Sequence, residues 1–371
     1  MEAWRKIRLG DACKTNSDSY SPNEGWAFVN YLDTGNITGN RIDSIQYIDV
    51  KSEKLPSRAR RKVKKDSIIY STVRPNQRHF GIIKSQPENF LVSTGFAVID
   101  TDAQVLDADF LYYLLTQSTL IEALHAIAEQ STSAYPSIKP SDIEDLEIDI
   151  PDLATQKKIA GILGSLDRKI KQNTEVNENL AQQAQAIYAD MFITNVNPVW
   201  PLGHLSDLIT VKYGKDHKKL DDGPYPVYGS GGIMRYVERP LYDKESVLIP
   251  RKGTLNNVIY VNEPFWSVDT MFFTEMKLPN VAKYVYHFVK SKDLASLNAG
   301  SAVPSMTTDI LNAMELPIPD ENSLARFESI VAPMFLTMQQ NTQETSKLAE
   351  TRDALLPRLM SGELDVSGLD I

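Results

Sequence analysis

Two long stretches of the chain share one pattern of apolar and polar positions. From Ile159, apolar or small side chains recur by steps of four and three: Ile159, Leu163, Leu166, Ile170, then Asn173 and Asn177, then Leu180, Ala184, Ile187 and Met191. Phe327, Val331, Met334, Met338, Asn341, Thr345, Leu348, Arg352, Leu355 and Leu359 follow the same steps. Such a stripe lies on one helix face and forms a coiled-coil seam, here with polar layers at mid-length. The pattern predicts a helix from near Thr155 to about Phe192 and a second over the matching stretch, each about 55 Å long at 1.5 Å per residue. Pro333 predicts a kink or a ragged start in the second, because its ring removes a hydrogen bond and crowds the preceding turn. Shorter apolar runs bounded by turn residues predict strands at 67–70, 81–83 and 96–99, and again at 247–249 and 258–261. Helical periods run from Asp109 to about Ala128, with Asp107 or Asp109 as cap, and from Val281 to Leu297.

The two stretches belong to an internal repeat. Pro136-Ser137 recurs 168 positions on as Pro304-Ser305, Glu147 as Glu315, Pro151-Asp152 as Pro319-Asp320, and Gln172-Asn173-Thr174 as Gln340-Asn341-Thr342. A fainter echo links Trp4 and Leu9-Gly10 with Trp200 and Leu202-Gly203. The chain therefore reads as α+β. Two mixed α/β parts (1–150 and 197–319) are separated by two long helical segments (151–196 and 320–371). Those segments are expected to pair as an antiparallel coiled coil with pseudo-two-fold symmetry. The pairing residues are expected to be Ile159, Leu163, Leu166, Ile170, Asn173, Met338, Asn341 and Leu348, with Asn173 facing Asn341 to fix the register. The alternative, in which each helix packs on its own core, stays open, because an ordinary amphipathic helix carries the same stripe.

Composition narrows the function classes. The 371 residues are 42% hydrophobic and 23% charged, an ordinary soluble composition of multi-domain length. No run of about 18 apolar residues is present, and Met1 to Lys6 lead into no apolar segment, so neither a membrane span nor a secretory signal is expected. A single cysteine, Cys13, allows no internal disulfide and suits a reducing cytosol. The net charge of -9 by itself argues against a nucleic-acid partner. Locally the balance differs: Lys51 to Lys65 hold eight Lys or Arg against Glu53 alone, and Asp142 to Asp152 are strongly acidic. An acidic chain with concentrated basic stretches can still place a positive face on DNA.

The basic run offers Arg58, Arg60, Arg61 and Lys62 as phosphate contacts, with a charged, solvent-facing loop as the alternative. Arg74, Asn76, Gln77 and Arg78 crowd into one turn, and these side chains pair bidentately with guanine or adenine in the major groove. Ser133 and Tyr135 sit in a hydroxyl-rich stretch suited to phosphate. The second part offers Lys215, Lys218 and Lys219, the small-residue loop around Ser230, and the cluster of Arg251, Lys252, Asn256 and Asn257. Each is also readable as a polar loop; their recurrence in both halves favours binding. Catalytic signatures are missing from the sequence. There is no Asn/Asp-Pro-Pro-aromatic motif, no glycine-rich cofactor loop and no phosphate-binding loop, and the five histidines lack metal-ligand spacing. Asp49-Val50-Lys51, with Asp33 or Asp43, mimics half of a nuclease site, a three-residue match that chance supplies often.

Several longer segments resemble a known family. Ser137 to Ile143, Ile150 to Leu153, Gln156 to Ala160 and Ile162-Leu163 with Leu166-Asp167 are similar to the conserved-region signature of type I restriction-modification specificity subunits. Arg352 to Leu364 resembles that family's C-terminal signature, and Tyr225 to Gly232, Arg251 to Gly253 and Phe265 to Thr270 resemble its target-recognition domains. The resemblance implies a non-catalytic, sequence-specific DNA-binding subunit that reads a bipartite, asymmetric site. Its expected partners are double-stranded DNA, two methyltransferase subunits and restriction/translocase subunits. S-adenosylmethionine, ATP and Mg are expected on those partners and none on this chain, in a cytoplasmic setting. Leu324-Ala325-Arg326-Phe327 lacks the Gln-Lys-Lys-Ile signature of the first repeat, which puts an equal second methyltransferase contact in doubt. The competing readings are an inactive or decoy specificity subunit and an interaction scaffold that does not bind DNA.

Overall fold

The computed structural model describes residues 4–131, 135–297 and 304–369. Its helices are α1 (Ala108–Leu115), α2 (Ser118–Glu129), α3 (Pro140–Glu144), α4 (Leu153–Ala189), α5 (Leu205–Leu208), α6 (Ala282–Lys290), α7 (Thr308–Asn312) and α8 (Glu321–Met360). The chain divides into two compact units: Met1–Gln172 with Glu344–Ile371, and Asn173–Gln343. The division cuts both long helices in mid-length, so each unit holds half of α4 and half of α8.

In the first unit, one four-stranded sheet runs in the order Cys13–Thr15, Phe96–Thr101, Ile68–Ser71, Phe80–Ile82. Another runs Gln46–Asp49, Phe28–Leu32, Phe90–Ser93, Ala59–Lys62, with its two central strands parallel. In the second unit, Ile209–Tyr213, Met271–Met276, Ser246–Pro250 and Ile259–Val261 reproduce the first order. A three-stranded sheet of Gly232–Val237, Tyr225–Gly229 and Trp266–Ser267 also contains a parallel pair. The matching extends to the helix entries. Glu147–Ile150 pairs with Arg5–Arg8, and Glu315–Pro317 pairs with Leu202–His204. Asp152 and Asp320, 168 positions apart, then accept backbone N–H groups of Thr155 and Ser323 at 3.1 and 2.9 Å. Both side chains thus satisfy donors that a helix start leaves unpaired.

The helices run antiparallel within each unit. In the first, Asp167 meets Arg352 at 2.7 Å and Lys169 meets Glu344 at 3.3 Å. Tyr113 donates its hydroxyl to the same Asp167 at 2.6 Å, tying α1 to both helices. In the second, Asn173 Nδ2 donates to the Asn341 carbonyl at 3.5 Å, Asn341 Nδ2 to Asn177 Oδ1 at 2.9 Å, and Asn177 Nδ2 to the Met338 carbonyl at 3.1 Å. The stripe positions are the covered ones: Ile159, Leu163, Asn173 and Ala184 are buried, and Leu166, Ile170, Met338, Asn341 and Leu348 are half-buried.

Three local expectations change. The 109–128 segment is two helices broken at Thr116-Gln117, with Asp107 capping the first through the Phe110 N–H at 3.0 Å. Helix α6 stops at Lys290, and the chain turns at Ser291 instead of continuing to Leu297. Helix α8 passes through Pro333 unbroken, starting twelve residues upstream; the proline lies exposed, where its missing N–H costs least, and the Thr337 hydroxyl caps its carbonyl at 2.9 Å.

Candidate nucleic-acid interface

Each unit carries one loop held by the same backbone clasp. In the first, Val73 bridges Ser137, Arg74 N–H donates to the Pro136 carbonyl at 2.9 Å, and Ile138 N–H donates to the Thr72 carbonyl at 2.8 Å. In the second, Lys252 bridges Ser305, Gly253 N–H donates to the Pro304 carbonyl at 3.3 Å, and Met306 N–H donates to the Arg251 carbonyl at 2.8 Å. Thr72-Val73-Arg74 therefore occupies the place of Arg251-Lys252-Gly253. Position matches, but side chains do not.

The first loop is a single helical turn, Pro75–Gln77, between two residues in left-handed backbone, Arg74 (φ 48) and Arg78 (φ 57). Arginine gains nothing from that conformation, so the surrounding structure must enforce it. Around this turn Arg74, Asn76, Gln77 and Arg78 are all exposed. The Arg74 guanidinium lies 5.2 Å from the centre of the Tyr135 ring, so the structure brings these two residues together. Arg78 reaches Ser118 at 3.4 Å, and His79 is fixed inward on the Ile37 carbonyl at 2.6 Å. Ser133 lies outside the described residues.

In the basic run, Arg58 and Arg60 are exposed on the edge strand Ala59–Lys62 and its approach. Arg61 and Lys62 are half-buried and engaged: Arg61 with Ser19 at 3.3 Å, Lys62 with Glu24 at 2.6 Å and over the Trp26 ring. That contact holds the Glu24 carboxyl below its ordinary range. The acidic run is spent locally, Glu144 on the Thr15 hydroxyl, Asp145 on Arg8 and Asp142 on the α3 start. Asp49 accepts the backbone N–H of Lys51 at 2.9 Å, a turn cap that accounts for the Asp49-Val50-Lys51 match. Among the described residues no group of three or more His, Cys, Asp or Glu is placed to hold a metal.

The second loop is built differently. Gly253 has φ +84, a left-handed backbone that favours glycine, and it lies close to Ser230. Asn257 Nδ2 donates to the Ser230 carbonyl at 2.8 Å. Asn256 donates to Asp293 and accepts from Ala295 N–H, both at 3.1 Å. Both amides thus pin neighbouring loops. The Arg251 guanidinium donates to the Asp269 carbonyl at 3.1 Å and lies 5.4 Å from the Tyr213 ring centre. Lys215, Lys218, Lys219 and Lys252 are exposed.

Sequence reading missed the support beneath this loop. Lys283 on α6 is buried, with its ammonium 2.8 Å from Glu245 and 2.7 Å from Glu328 of α8, and 4.8 Å from the centre of the Tyr260 ring. Glu245 precedes, and Tyr260 lies in, the two strands that flank the loop. The partners are 38 and 45 residues apart, with no local motif to join them. Only the placing of Lys283 and His287, four residues apart, among the apolar residues of α6 signalled it.

The type I restriction modification DNA specificity domain model matches residues 1–182 and 199–326. The chain is 24% identical to the HindI type I restriction enzyme specificity subunit of Haemophilus influenzae, across 98% of this chain and 100% of that one. It is 24% identical to the MjaIX specificity subunit of Methanocaldococcus jannaschii, across 71% and 70%. The crystal structure of a type I restriction-modification S subunit from M. genitalium shares the fold, with a TM-score of 0.66 over 96% of each chain at 18% identity.

Proposed function

The chain belongs to the type I restriction modification DNA specificity family, and from that premise we propose that its two clasped loops read the two halves of a split, asymmetric DNA site. One observation carries the reading: an identical backbone clasp presents different side chains in the two units. A shared scaffold with unlike loops is what reading two unlike half-sites requires. In the first unit the readers are Arg74, Asn76, Gln77 and Arg78, whose exposed planar groups suit guanine and adenine edges, with Arg58 and Arg60 on phosphate. In the second, Lys252 and the lysines at 215, 218 and 219 supply positive charge, while Asn256 and Asn257 shape the loop.

Catalysis in this reading belongs to partners. Methyltransferase subunits dock along the helical segments and bring S-adenosylmethionine, and restriction subunits bring ATP and Mg. This chain positions them by choosing the DNA. The domains are then residues 1–150 and 197–319 as readers, with 151–196 and 320–371 as spacers. The test is to co-express the full chain with an adenine methyltransferase subunit and map methylated adenines by sequencing. Two short specified blocks separated by a fixed unspecified spacer are expected. A contiguous site, or methylation unaffected by removal of this chain, refutes the proposal.

A further inference from the structure

The strand Gly232–Val237 lies at the edge of its sheet, hydrogen-bonded on one side to Tyr225–Gly229. Soluble proteins usually protect such an edge with charge. Here Ile233, Met234 and Tyr236 are instead 50%, 59% and 49% exposed. The one charge, Arg235, turns back to the Leu220 carbonyl and Asp222, at 2.9 and 2.8 Å. The pairing is also irregular. Val227 pairs with Arg235 and Tyr228 with Ile233, which leaves Met234 as the extra residue of a β-bulge. Bulges re-aim side chains and are over-represented beside functional sites.

This hairpin adjoins the second clasped loop. Its turn is Ser230-Gly231, with Gly232 at φ +112. A Cβ at Gly231 would meet nothing within 4 Å, so the tip projects into solvent. Asn257 grips the Ser230 carbonyl, which fixes the tip to the Arg251–Asn257 loop. Exposed Lys252 lies in that loop, and Lys215 follows the strand Ile209–Tyr213, whose last ring stacks with Arg251. An apolar tip tethered to a loop that carries an exposed cation fits a partner that is anionic outside and apolar at defined points within. Duplex DNA has that chemistry, with phosphates on the rim and thymine methyl groups in the major groove.

We infer that Ile233 and Met234 are specificity-determining residues that pack against a thymine 5-methyl group in the half-site read by residues 197–319. The inference rests on the DNA-reading function proposed above. It accounts for the apolar edge, the bulge and the tether together, and it assigns A·T recognition in that half-site to apolar contact, since the nearby amides are engaged with the protein.

The experiment uses the full chain with its methyltransferase subunit and duplexes carrying the mapped site. Each thymine of that half-site is replaced in turn by uracil, which deletes only the methyl group. Affinity is measured by anisotropy for the native chain and for the double variant Ile233→Ala, Met234→Ala, whose exposed positions leave the core intact. One uracil is expected to weaken native binding about three- to five-fold, the worth of one buried methyl, and to leave the variant's binding unchanged. Thymines in the other half-site should respond equally in both proteins. Native binding indifferent to every uracil, a half-site without thymine, or a variant as sensitive as the native chain overturns the inference alone. Loss of methylation in the variant with unchanged binding also overturns it and marks the tip as a protein contact. Absence of any sequence-specific binding overturns the underlying function as well.

Discussion

Replacing Lys283 with Met tests whether the buried ion cluster supports the second recognition loop. The lysine is 3% exposed and ion-pairs with two carboxylates within 2.8 Å. Methionine fills similar volume but strands both charges. Breaking a buried pair typically costs about 3–5 kcal/mol. Glu245 and Glu328 are partly open to water, at 28% and 20%, which screens the charges and lowers the cost to about 2–3 kcal/mol. For a unit of this size that corresponds to a melting-temperature drop of roughly 5–10 °C. Calorimetry on the full chain should show the loss, with the first unit's transition unmoved. A triple variant with Glu245→Gln and Glu328→Gln should recover most of it, because the charges and not the volume are at issue. Equal instability of the single and triple variants, or a neutral Lys283→Met, refutes the argument.

The remaining predictions concern binding and pH. Arg58→Ala and Arg60→Ala should each lower the salt dependence of DNA binding by about one phosphate contact. Lys62→Ala, already paired with Glu24, should change it little; equal slopes for all three in an anisotropy titration would contradict this. Arg78→Gly should stabilise the first unit by up to about 1 kcal/mol by relieving left-handed strain, yet relax base preference in one half-site only. Thermal melts and methylation mapping would expose a destabilised or fully specific variant. Burial, with the Lys290 charge nearby, lowers the His287 pKa to about 4, while the unfolded chain titrates near 6.5. The unfolded state therefore binds the extra proton first, so second-unit stability should fall as pH drops from about 6.5 to 4, by up to about 3 kcal/mol. His287→Phe should flatten that slope in denaturant titrations at several pH values.

What the sequence revealed depended on how local each signal was. The helical seam was legible because a period of 3.6 repeats itself, and the covered positions from Ile159 to Ala184 follow it. The repeat was legible because Asp152 and Asp320 cap their helices with the same residue at the same offset. Loop chemistry was only half legible. Asn76 and Asn257 look alike as polar loop residues, but one stands exposed and the other is spent on the Ser230 carbonyl. Lys62 likewise reads as one more cation until Glu24, far off in sequence, arrives beside it. The break between α1 and α2 was hidden because apolar spacing runs straight across Thr116-Gln117. Hydrogen-bond partners and edge strands are set by tertiary contacts, and residue type does not announce them.

The first unit takes part of its core from far down the chain. Leu359, Met360 and Val366 pack into the same cluster as Leu9, Phe110 and Leu163. Gly362 sits against the Trp4 ring, where a Cβ would come within 2.8 Å. The second unit is a continuous stretch inserted within the first. On the ribosome the order of completion is therefore inverted: the inserted unit has all its residues first, and the unit begun earliest waits for the residues from Glu344 onward. A nascent chain stopped before Leu355 would leave the apolar cluster around Leu9, Phe110 and Leu163 without the residues that complete it.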